Sequence, residues 1–230
     1  MDKTRTARDA VACIKDGHTV MVGGFGSPGT PFTLLDALLE QGTRDLTIIK
    51  NEANEPGIGV SRLIEAGRVR KIILSHLGLN GVVIEMMNKG QIEVEFHPQG
   101  ILAEKIRAGG AGLMAFVHDV GIHTILRDTR QVMDMDGREC FLEPALTADA
   151  ALIRARTGDR FGNLTYEKSG RNFGALMAMA GKCVIAEVHE LVEPGAMDPD
   201  QVHTPAAFVD QVVLLEQLGK DYEVLAHHVG

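Results

Sequence analysis

The segment His18–Pro31 constrains the fold of this 230-residue chain more than any other stretch. An apolar run ends at Val22, and the next seven residues contain four glycines, at positions 23, 24, 26 and 29. Beyond Pro31, leucines at positions 34, 35, 38 and 39 share one face of a helix. The segment therefore predicts a strand, a glycine loop and a helix in succession, which is the basic unit of an α/β fold.

The glycine loop also predicts a place for negative charge. We expect Thr30 to cap the helix and Pro31 to take its first position, because the N–H that proline lacks has no partner inside a helix. Such a loop leaves backbone N–H groups uncovered beside the positive end of the helix. A negatively charged ligand or a developing oxyanion is expected there.

The same alternation of strand and helix continues along the first half of the chain. Helices are predicted over 6–15, 31–41, 60–66, 82–88 and 102–107, and further strands over 46–49, 69–74 and 92–96. Residues 92–96 alternate apolar and acidic side chains, which favours a strand near the edge of a sheet. This order predicts a parallel sheet, because parallel neighbours need a crossover helix between them.

The second half of the chain interrupts that order. Residues 131–135 and 138–142 flank Asp136-Gly137, which is typical of a β-hairpin with a type I′ turn. Buried strands are predicted over 150–154 and 183–188, a helix over 171–180 and a last element over 208–215. We therefore predict a single α/β domain over residues 1–230, with an open, mostly parallel sheet, helices on both faces and a β-hairpin insertion.

Composition argues against several classes of function. The net charge is −8, aromatic residues make up 4% and tryptophan is absent, which disfavours nucleic acid and anionic membranes as partners. No apolar run approaches the roughly 20 residues that span a bilayer, and no hydrophobic segment follows the basic N-terminus, so we expect a cytoplasmic protein. The cysteines, at positions 13, 140 and 183, are too dispersed for a disulfide framework and are interpreted as small buried apolar residues.

One interpretation of the loop is a dinucleotide site. Gly24-Phe-Gly26-Ser-Pro-Gly29 matches the G-x-G-x-x-G fingerprint of nicotinamide-nucleotide proteins. In those proteins the helix begins within the fingerprint, and the third glycine packs helix on strand. Here Pro28 and Pro31 delay the helix until after the third glycine, which argues against this alternative.

The loop and its flanks carry a more specific pattern, Asp16-Gly17, Val20, Val22-Gly23-Gly24-Phe25, Gly29 and Pro31. This pattern resembles the signature of the family I coenzyme A transferases, and more narrowly that of their alpha subunit or of the N-terminal half of the fused enzymes. Further stretches agree with it: Asn51-x-Ala53, Ser75–Asn80, Pro98–Gly112, Asp159–Asn163, Arg171–Phe173 and His203–Pro205. The resemblance covers about residues 5–215.

The resemblance implies transfer of coenzyme A from an acyl-CoA to a 3-oxoacid or short-chain carboxylic acid. In the family a glutamate attacks the thioester, and a mixed anhydride gives way to an enzyme glutamyl-CoA thioester. That glutamate lies in a Ser-Glu-Asn-Gly motif of the beta subunit, a motif that this sequence lacks. We therefore expect no catalytic nucleophile in this chain, no metal, no cofactor apart from coenzyme A as substrate, and a beta-subunit partner in an α2β2 assembly.

The resemblance also implies that this chain shapes the acid-binding side of a shared site. Gln99 is the leading substrate-binding candidate, because the matching glutamine contacts the substrate carboxylate or carbonyl in the family. An amide can donate to a carboxylate without adding fixed charge. The alternative is that Pro98–Gly100 is only a strand-to-helix turn.

Five further residues are candidates for substrate binding. Gly24, Phe25 and Gly26 would supply backbone groups and a wall of the site, although the glycines could merely permit the turn. Asn51 and Asn54 follow a predicted strand, where open α/β sheets bind their ligands. Asparagine is also common in turns, which is the alternative for both.

Other polar residues are weaker candidates. Glu52 lies in the same region, but among 31 carboxylates a solvated residue is the simpler interpretation. His118, Asp119 and His123 depart from the Thr-Pro-Thr-Gly that the family usually carries, which leaves the acid specificity open. A loop histidine pair without further ligands is not expected to bind metal. The departure also leaves open a non-catalytic acyl-CoA or metabolite-binding paralogue of the same fold.

Overall fold

The computed structural model describes residues 2–216 and Tyr222. The helices are α1 (Ala7–Val11), α2 (Phe32–Gln41), α3 (Val60–Glu65), α4 (Gly81–Asn88), α5 (Gln99–Gly110) and α6 (Gly174–Ala180). The strands are β1 (Thr19–Val22), β2 (Leu46–Ile49), β3 (Val69–Leu74), β4 (Glu93–Phe96), β5 (Ala115–His118), β6 (Gln131–Met135), β7 (Arg138–Pro144), β8 (Ala148–Asp159), β9 (Leu164–Thr165), β10 (Gly181–Val192) and β11 (Gln211–Leu214).

Within the described residues the main sheet has eight strands, in the order β11-β10-β8-β1-β2-β3-β4 with β9 beside β8. All neighbours are parallel except β9, which is antiparallel to β8. β4 ends the sheet, as its alternating acidic pattern predicted. This architecture confirms the predicted α/β class with a mostly parallel sheet. The single domain over 1–230 stays a prediction, since it includes residues outside the described ones.

Apolar side chains cover both faces of the sheet. Val20 and Val22 point to one face and Met21 to the other, because successive side chains of a strand alternate. The first face packs against buried residues of α1 to α4, and the second against those of α5 and α6. Helices on both faces are therefore confirmed. Among the described residues, every helix is too short or too polar to cross a bilayer.

The insertion is larger than the predicted hairpin. β6 and β7 pair antiparallel around Asp136 (φ +55°) and Gly137 (φ +79°), so the type I′ turn is confirmed. β5 also pairs with β7, which makes a three-stranded sheet in the order β5-β7-β6. The sequence did not predict β5, because its four residues are all partly buried and show no alternation of apolar and polar positions.

The helix predicted over 171–180 begins only at Gly174. Residues Lys168–Arg171 form a separate 3-10 turn, and Asn172 (φ +12°, ψ −112°) interrupts the backbone between the two. Because the helix is interrupted at Asn172, the side-chain amide of this residue reaches the loop after β1, where it contacts Gly24 and Pro28. Conversely, α5 begins at Gln99 and not at the predicted Leu102, so Gln99 is its first residue.

Candidate active site

The loops that follow β1, β2, β3 and β4 lie at one edge of the main sheet, because parallel strands share their carboxyl end. Open α/β sheets bind ligands outside this edge. The loop after β1 is the glycine loop, residues 23–29, and the loop after β2 begins at Lys50. The predicted site residues all belong to this edge, so the sheet gathers them from separate segments of sequence.

The glycine loop is a tight turn with three left-handed glycines, Gly24 (φ +107°), Gly26 (φ +64°) and Gly29 (φ +79°). A Cβ on Gly24 would lie 2.2 Å from Thr30 Oγ1 and 2.8 Å from the Thr30 backbone nitrogen, so only glycine fits there. Thr30 Oγ1 donates to the Gly26 carbonyl at 2.6 Å and thereby closes the loop. The expectation that Thr30 caps α2 is wrong, since Pro31 occupies the cap position and makes no side-chain cap bond.

Asn172 braces the glycine loop from the segment before α6. Its Oδ1 accepts from the Gly24 N–H at 3.1 Å, and its Nδ2 donates to the Pro28 carbonyl at 2.9 Å. A Cβ on Gly29 would lie 2.6 Å from the Gly170 carbonyl oxygen. The third glycine therefore packs against this segment and not between helix and strand, which is a geometry unlike that of the dinucleotide fingerprint.

A carboxylate of the chain itself occupies the N-terminal end of α2. Glu187, on β10, is fully buried, and its Oε2 accepts from the Leu34 N–H at 3.1 Å. The Tyr222 hydroxyl donates to the other oxygen of Glu187 and accepts from the Thr33 N–H at 3.1 Å. Burial raises the pKa of Glu187 to about 7. The expectation of an external anion at this helix end is therefore wrong.

Two backbone donors of the loop stay available on partly exposed residues, while Gly29, whose N–H also lacks an acceptor among the described residues, is buried. Within the described residues, the N–H groups of Gly26 and Ser27 have no hydrogen-bond acceptor. Both residues are only partly buried, and the neighbouring Phe25 side chain is exposed. These N–H groups, and not the end of α2, are where the loop can meet a negative charge.

A buried ion pair lies beneath the loop. Lys50 Nζ is 2.5 Å from Glu52 Oε1, and both side chains are almost completely buried. The same ammonium is 3.5 Å from the Gly24 carbonyl oxygen. Burial lowers the pKa of Lys50, while the charge of Glu52 opposes that shift. Glu52 is therefore not the solvated residue that the sequence suggested, and Lys50 was missed although it directly follows a buried strand.

Asn51 and Asn54 are buried and hold the two loops together. The Asn51 amide donates to Glu52 Oε2 at 2.8 Å, and the Asn54 amide donates to the Gly26 carbonyl at 3.1 Å. Asn54 Oδ1 also accepts from the Val60 N–H at 3.2 Å, at the start of α3. Asn80 continues the network by donating to the Asn54 carbonyl at 2.9 Å. The structure thus brings together Gly24, Gly26, Asn51 and Asn54.

Gln99 lies apart from this network. It is exposed at the first position of α5, after β4, and its side chain makes no hydrogen bond within the described residues. Its amide is free to meet a ligand or a partner. The large apolar side chains of Phe25, Leu79 and Phe96 are also exposed at this edge, each in a different loop or strand end.

A cationic cavity borders the glycine loop on its β8 side. Its volume is about 300 Å³, and its charged lining consists of Arg154, Arg156, Glu167 and Lys168. His189 also lines it and accepts from Arg154 Nε at 2.8 Å. Burial and the two nearby arginines lower the pKa of His189 to about 4, so the ring is neutral at pH 7. The cavity therefore carries an excess of positive charge in an acidic chain.

The segment that departs from the family pattern starts on β5 of the three-stranded sheet and continues into the turns after it. His118 lies on β5 and not in a loop, and its Nδ1 accepts from the Val120 N–H at 3.1 Å. Asp119 pairs with Arg138, while His123 is exposed. The described residues contain no group of three or more His, Cys, Asp or Glu side chains arranged to hold a metal ion.

Comparison with known proteins gives a consistent result. The sequence matches the coenzyme A transferase family over residues 4–215. The alpha chain of acetate CoA-transferase from Escherichia coli (strain K12) is 45% identical over 215 residues, which cover 94% of this chain and 98% of that protein. The corresponding chain of 3-oxoadipate CoA-transferase from Pseudomonas putida is 48% identical over 206 residues, or 89% of each protein.

A solved structure of a coenzyme A transferase also has the fold of this chain. An acyl-CoA transferase from E. coli O157:H7, in a thioester complex with CoA, superposes with a TM-score of 0.84 at 25% identity. The match covers 95% of this chain and 48% of the other, so the present chain spans about half the length of that protein. The family match and the relatives aligned along most of their length show that this chain belongs to the coenzyme A transferase family, as the resemblance predicted.

Proposed function

We propose that this chain is the alpha subunit of an enzyme that moves coenzyme A between an acyl-CoA and a short-chain or 3-oxo carboxylic acid. The observation that carries the proposal is its alignment with the alpha chains of such enzymes along most of their length. The beta subunit supplies the nucleophile, since this chain lacks the Ser-Glu-Asn-Gly motif. Two copies of each polypeptide form the proposed α2β2 assembly.

The proposed reaction is a ping-pong transfer. A glutamate carboxylate from the beta subunit first attacks the acyl-CoA carbonyl. The thiolate of coenzyme A departs, and a mixed anhydride between the acyl group and the glutamate is formed. The thiolate then attacks the glutamyl carbonyl, which releases the first acid and leaves a glutamyl-CoA thioester. The second acid reverses both steps and departs as its CoA ester. The structural relative solved as a thioester complex with CoA is consistent with this intermediate.

The contribution of this chain is to bind and orient the acid and to meet negative charge. Each attack builds an oxyanion, and the free N–H groups of Gly26 and Ser27 are suitable donors for it. The unpaired amide of Gln99 is suited to a substrate carboxylate. Asn51 and Asn54 act here through the loops they hold together, because their amides already donate within the chain.

The cationic cavity supports the same class of substrate. Its three basic side chains and one glutamate favour an anionic group, and both coenzyme A and carboxylic acids carry such groups. The exposed Phe25, Leu79 and Phe96 lie in segments at the same end of the sheet, and exposed large apolar side chains there support the presence of a partner.

Co-expression with a candidate beta subunit tests the proposal. The pair is expected to transfer coenzyme A from succinyl-CoA or acetyl-CoA to acids of the acetate, acetoacetate or 3-oxoadipate type, while this chain alone is inactive. Mass spectrometry after incubation with acyl-CoA should find a covalent CoA adduct on the beta subunit. If the adduct forms on Glu52 of this chain, or if no acid of the panel is converted, the proposal fails.

Gln99 offers a sharper test of the acid-binding side. Gln99→Ala in the assembled pair is expected to lower kcat/KM for the accepting acid by roughly tenfold or more, because one hydrogen bond to a charged group is worth about 1.5–3 kcal/mol. Gln91→Ala is the matched control, since Gln91 is exposed in the turn before β4. Equal effects of both substitutions would remove Gln99 from the site.

The second candidate is a non-catalytic paralogue that binds an acyl-CoA or another metabolite. The observation that favours it is the segment at 117–124, which departs from the family pattern, begins on β5 and continues into the turns that follow it. This candidate predicts binding of acyl-CoA by the isolated chain in calorimetry, without stable association with a beta subunit. Size-exclusion chromatography of the native protein distinguishes the two.

A further inference from the structure

Cys13 and Cys183 meet although 170 residues separate them in the sequence. Their sulfur atoms lie 2.7 Å apart, closer than two non-bonded sulfurs normally pack. Cys13 follows α1, Cys183 lies near the start of β10, and both are only partly buried. The sequence suggested three dispersed, buried cysteines, and for this pair that interpretation is wrong.

The two thiols differ in their ionisation. A hydrogen bond from Cys13 lowers the pKa of Cys183 to about 7, whereas the same contact raises the pKa of Cys13. Gln211 also approaches Cys183, with Nε2 3.8 Å from the sulfur. Cys183 is therefore the group that carries thiolate character at neutral pH, and the thiolate is the reactive form of cysteine.

We propose that Cys183 and Cys13 form a site of reversible oxidative modification, at which a low-molecular-weight disulfide converts the two thiols into an intramolecular disulfide. Cys183 is the attacking thiol and Cys13 is the resolving thiol. The proposal rests on the geometry of the pair and is independent of the function proposed above.

The chemistry balances in two exchange steps. The Cys183 thiolate attacks one sulfur of the low-molecular-weight disulfide, which breaks that bond and releases one thiolate. Cys13 then loses its proton to solvent and attacks the Cys183 sulfur, which releases the second thiolate. Both released thiolates take up protons. Two protein thiols are oxidised, and one external disulfide is reduced to two thiols.

The site is separate from the active-site edge. Cys183 pairs in register with Ala150 near the amino end of β10, whereas the glycine loop follows the carboxyl end of β1. The third cysteine, Cys140, is buried on β7, where its thiol lies 3.6 Å from the Met133 carbonyl oxygen. Cys140 therefore serves as an internal control that lacks a neighbouring thiol among the described residues.

The test exposes the full-length chain to oxidised glutathione at increasing ratios, followed by non-reducing peptide mapping. We expect Cys13 and Cys183 to appear in one cross-linked peptide, while Cys140 stays alkylatable. The cross-link closes a long loop and should raise Tm by at least about 5 °C, reversibly with dithiothreitol. The rate of reaction should rise as pH increases through about 7, as Cys183 ionises.

Single substitutions assign the two roles. Cys13→Ser is expected to stop at a stable mixed disulfide between glutathione and Cys183, and Cys183→Ser should leave Cys13 largely unmodified. Cys140→Ser should behave as the unsubstituted chain does. A mixed disulfide that persists in the unsubstituted chain, or absence of the cross-linked peptide at full oxidation, would overturn the proposal.

Discussion

Two lysine–glutamate pairs are buried among the described residues, and their surroundings differ. Lys50 and Glu52 lie 2.5 Å apart in the loop after β2, below the glycine loop. Lys105, on α5, and Glu143, on β7, lie 2.6 Å apart where the three-stranded sheet packs on that helix. All four side chains are at most 4% exposed, so the two pairs start from the same burial.

The two pairs differ in the number of cations near each glutamate. Glu52 has one cation, and its other contacts within the described residues are the neutral amides of Asn51 and Asn54. Glu143 has Lys105, and also Arg130 at 3.4 Å and the His118 ring at 3.9 Å. The first pair depends on a single cation and holds the loops of the candidate active site, while the second belongs to a network that attaches the insertion to α5.

Burial alone therefore does not set how much an ion pair contributes to stability. Removing one partner is costly when it leaves a buried charge without compensation. Where another cation is within reach, the remaining charge can be partly satisfied. We therefore expect substitutions at the two lysines to lower the free energy of unfolding by different amounts. A buried carboxylate without a lysine and an exposed ion pair provide further cases for the same comparison of stability.

Lys50→Met should have the largest effect. It leaves the Glu52 carboxylate buried with amide donors alone, and we expect it to lower the free energy of unfolding by about 3–5 kcal/mol. Urea denaturation measures this loss, and the Lys50→Met, Glu52→Gln double variant should recover part of it. A loss below about 1 kcal/mol would show that Glu52 needs no cation.

Glu187 differs from both of these glutamates, because it is a buried carboxylate without a lysine partner. Its pKa of about 7 in the folded chain lies above the ordinary value of 4.5, because burial disfavours the charged form. The folded state then binds the extra proton, so this group makes stability fall as pH rises from about 4.5 to 7, by on the order of 3 kcal/mol.

Glu187→Gln should remove that decline. Urea denaturation of both proteins between about pH 4 and 8 gives their free energies of unfolding. The other titrating groups contribute equally to both proteins, so their effect cancels in the difference. We expect the stability of the variant, measured relative to the unsubstituted chain, to be higher above about pH 7 than near pH 4. Parallel pH profiles for the two proteins would contradict the assignment.

Lys105→Met should cost less than Lys50→Met, about 1–3 kcal/mol, because Arg130 remains within 3.4 Å of Glu143. The same urea experiment checks it, and Lys105→Met combined with Arg130→Met should approach the loss seen at Lys50. If Lys105→Met alone is as damaging as Lys50→Met, the network around Glu143 does not share the charge.

An exposed pair gives the smallest expected effect. Arg127, in the 3-10 turn before β6, pairs with Glu139 of β7, and 42% and 50% of the two side chains are exposed. Solvent screens such a pair, so Glu139→Gln should leave the urea midpoint unchanged within experimental error. A clear shift of the urea midpoint would mean that ion pairing, and not burial, determines which glutamates contribute to stability.

The positions of many residues in the candidate site were predictable from local sequence. Gly24 and Gly26 fall in one contiguous loop, and the order of strand and helix placed Asn51, Asn54 and Gln99 after strands of the sheet. The contacts that complete the candidate site join distant residues: Asn172 reaches Gly24 across 148 positions, and Glu187 reaches Leu34 across 153. No periodic pattern signals such pairs, because each side chain alone looks like an ordinary polar residue.

The sequence by itself determined the alternation of strands and helices, the positions where only glycine fits, the hairpin turn and the family signature, because these depend on backbone preferences and on residues close in the chain. Only the tertiary structure decided which groups became buried partners. It filled the N-terminal end of α2 with Glu187, placed Lys50 beside Glu52 beneath the loop, and brought Cys13 to Cys183. Burial and charge pairing depend on which elements meet in space, and that is set by the packing of the whole sheet.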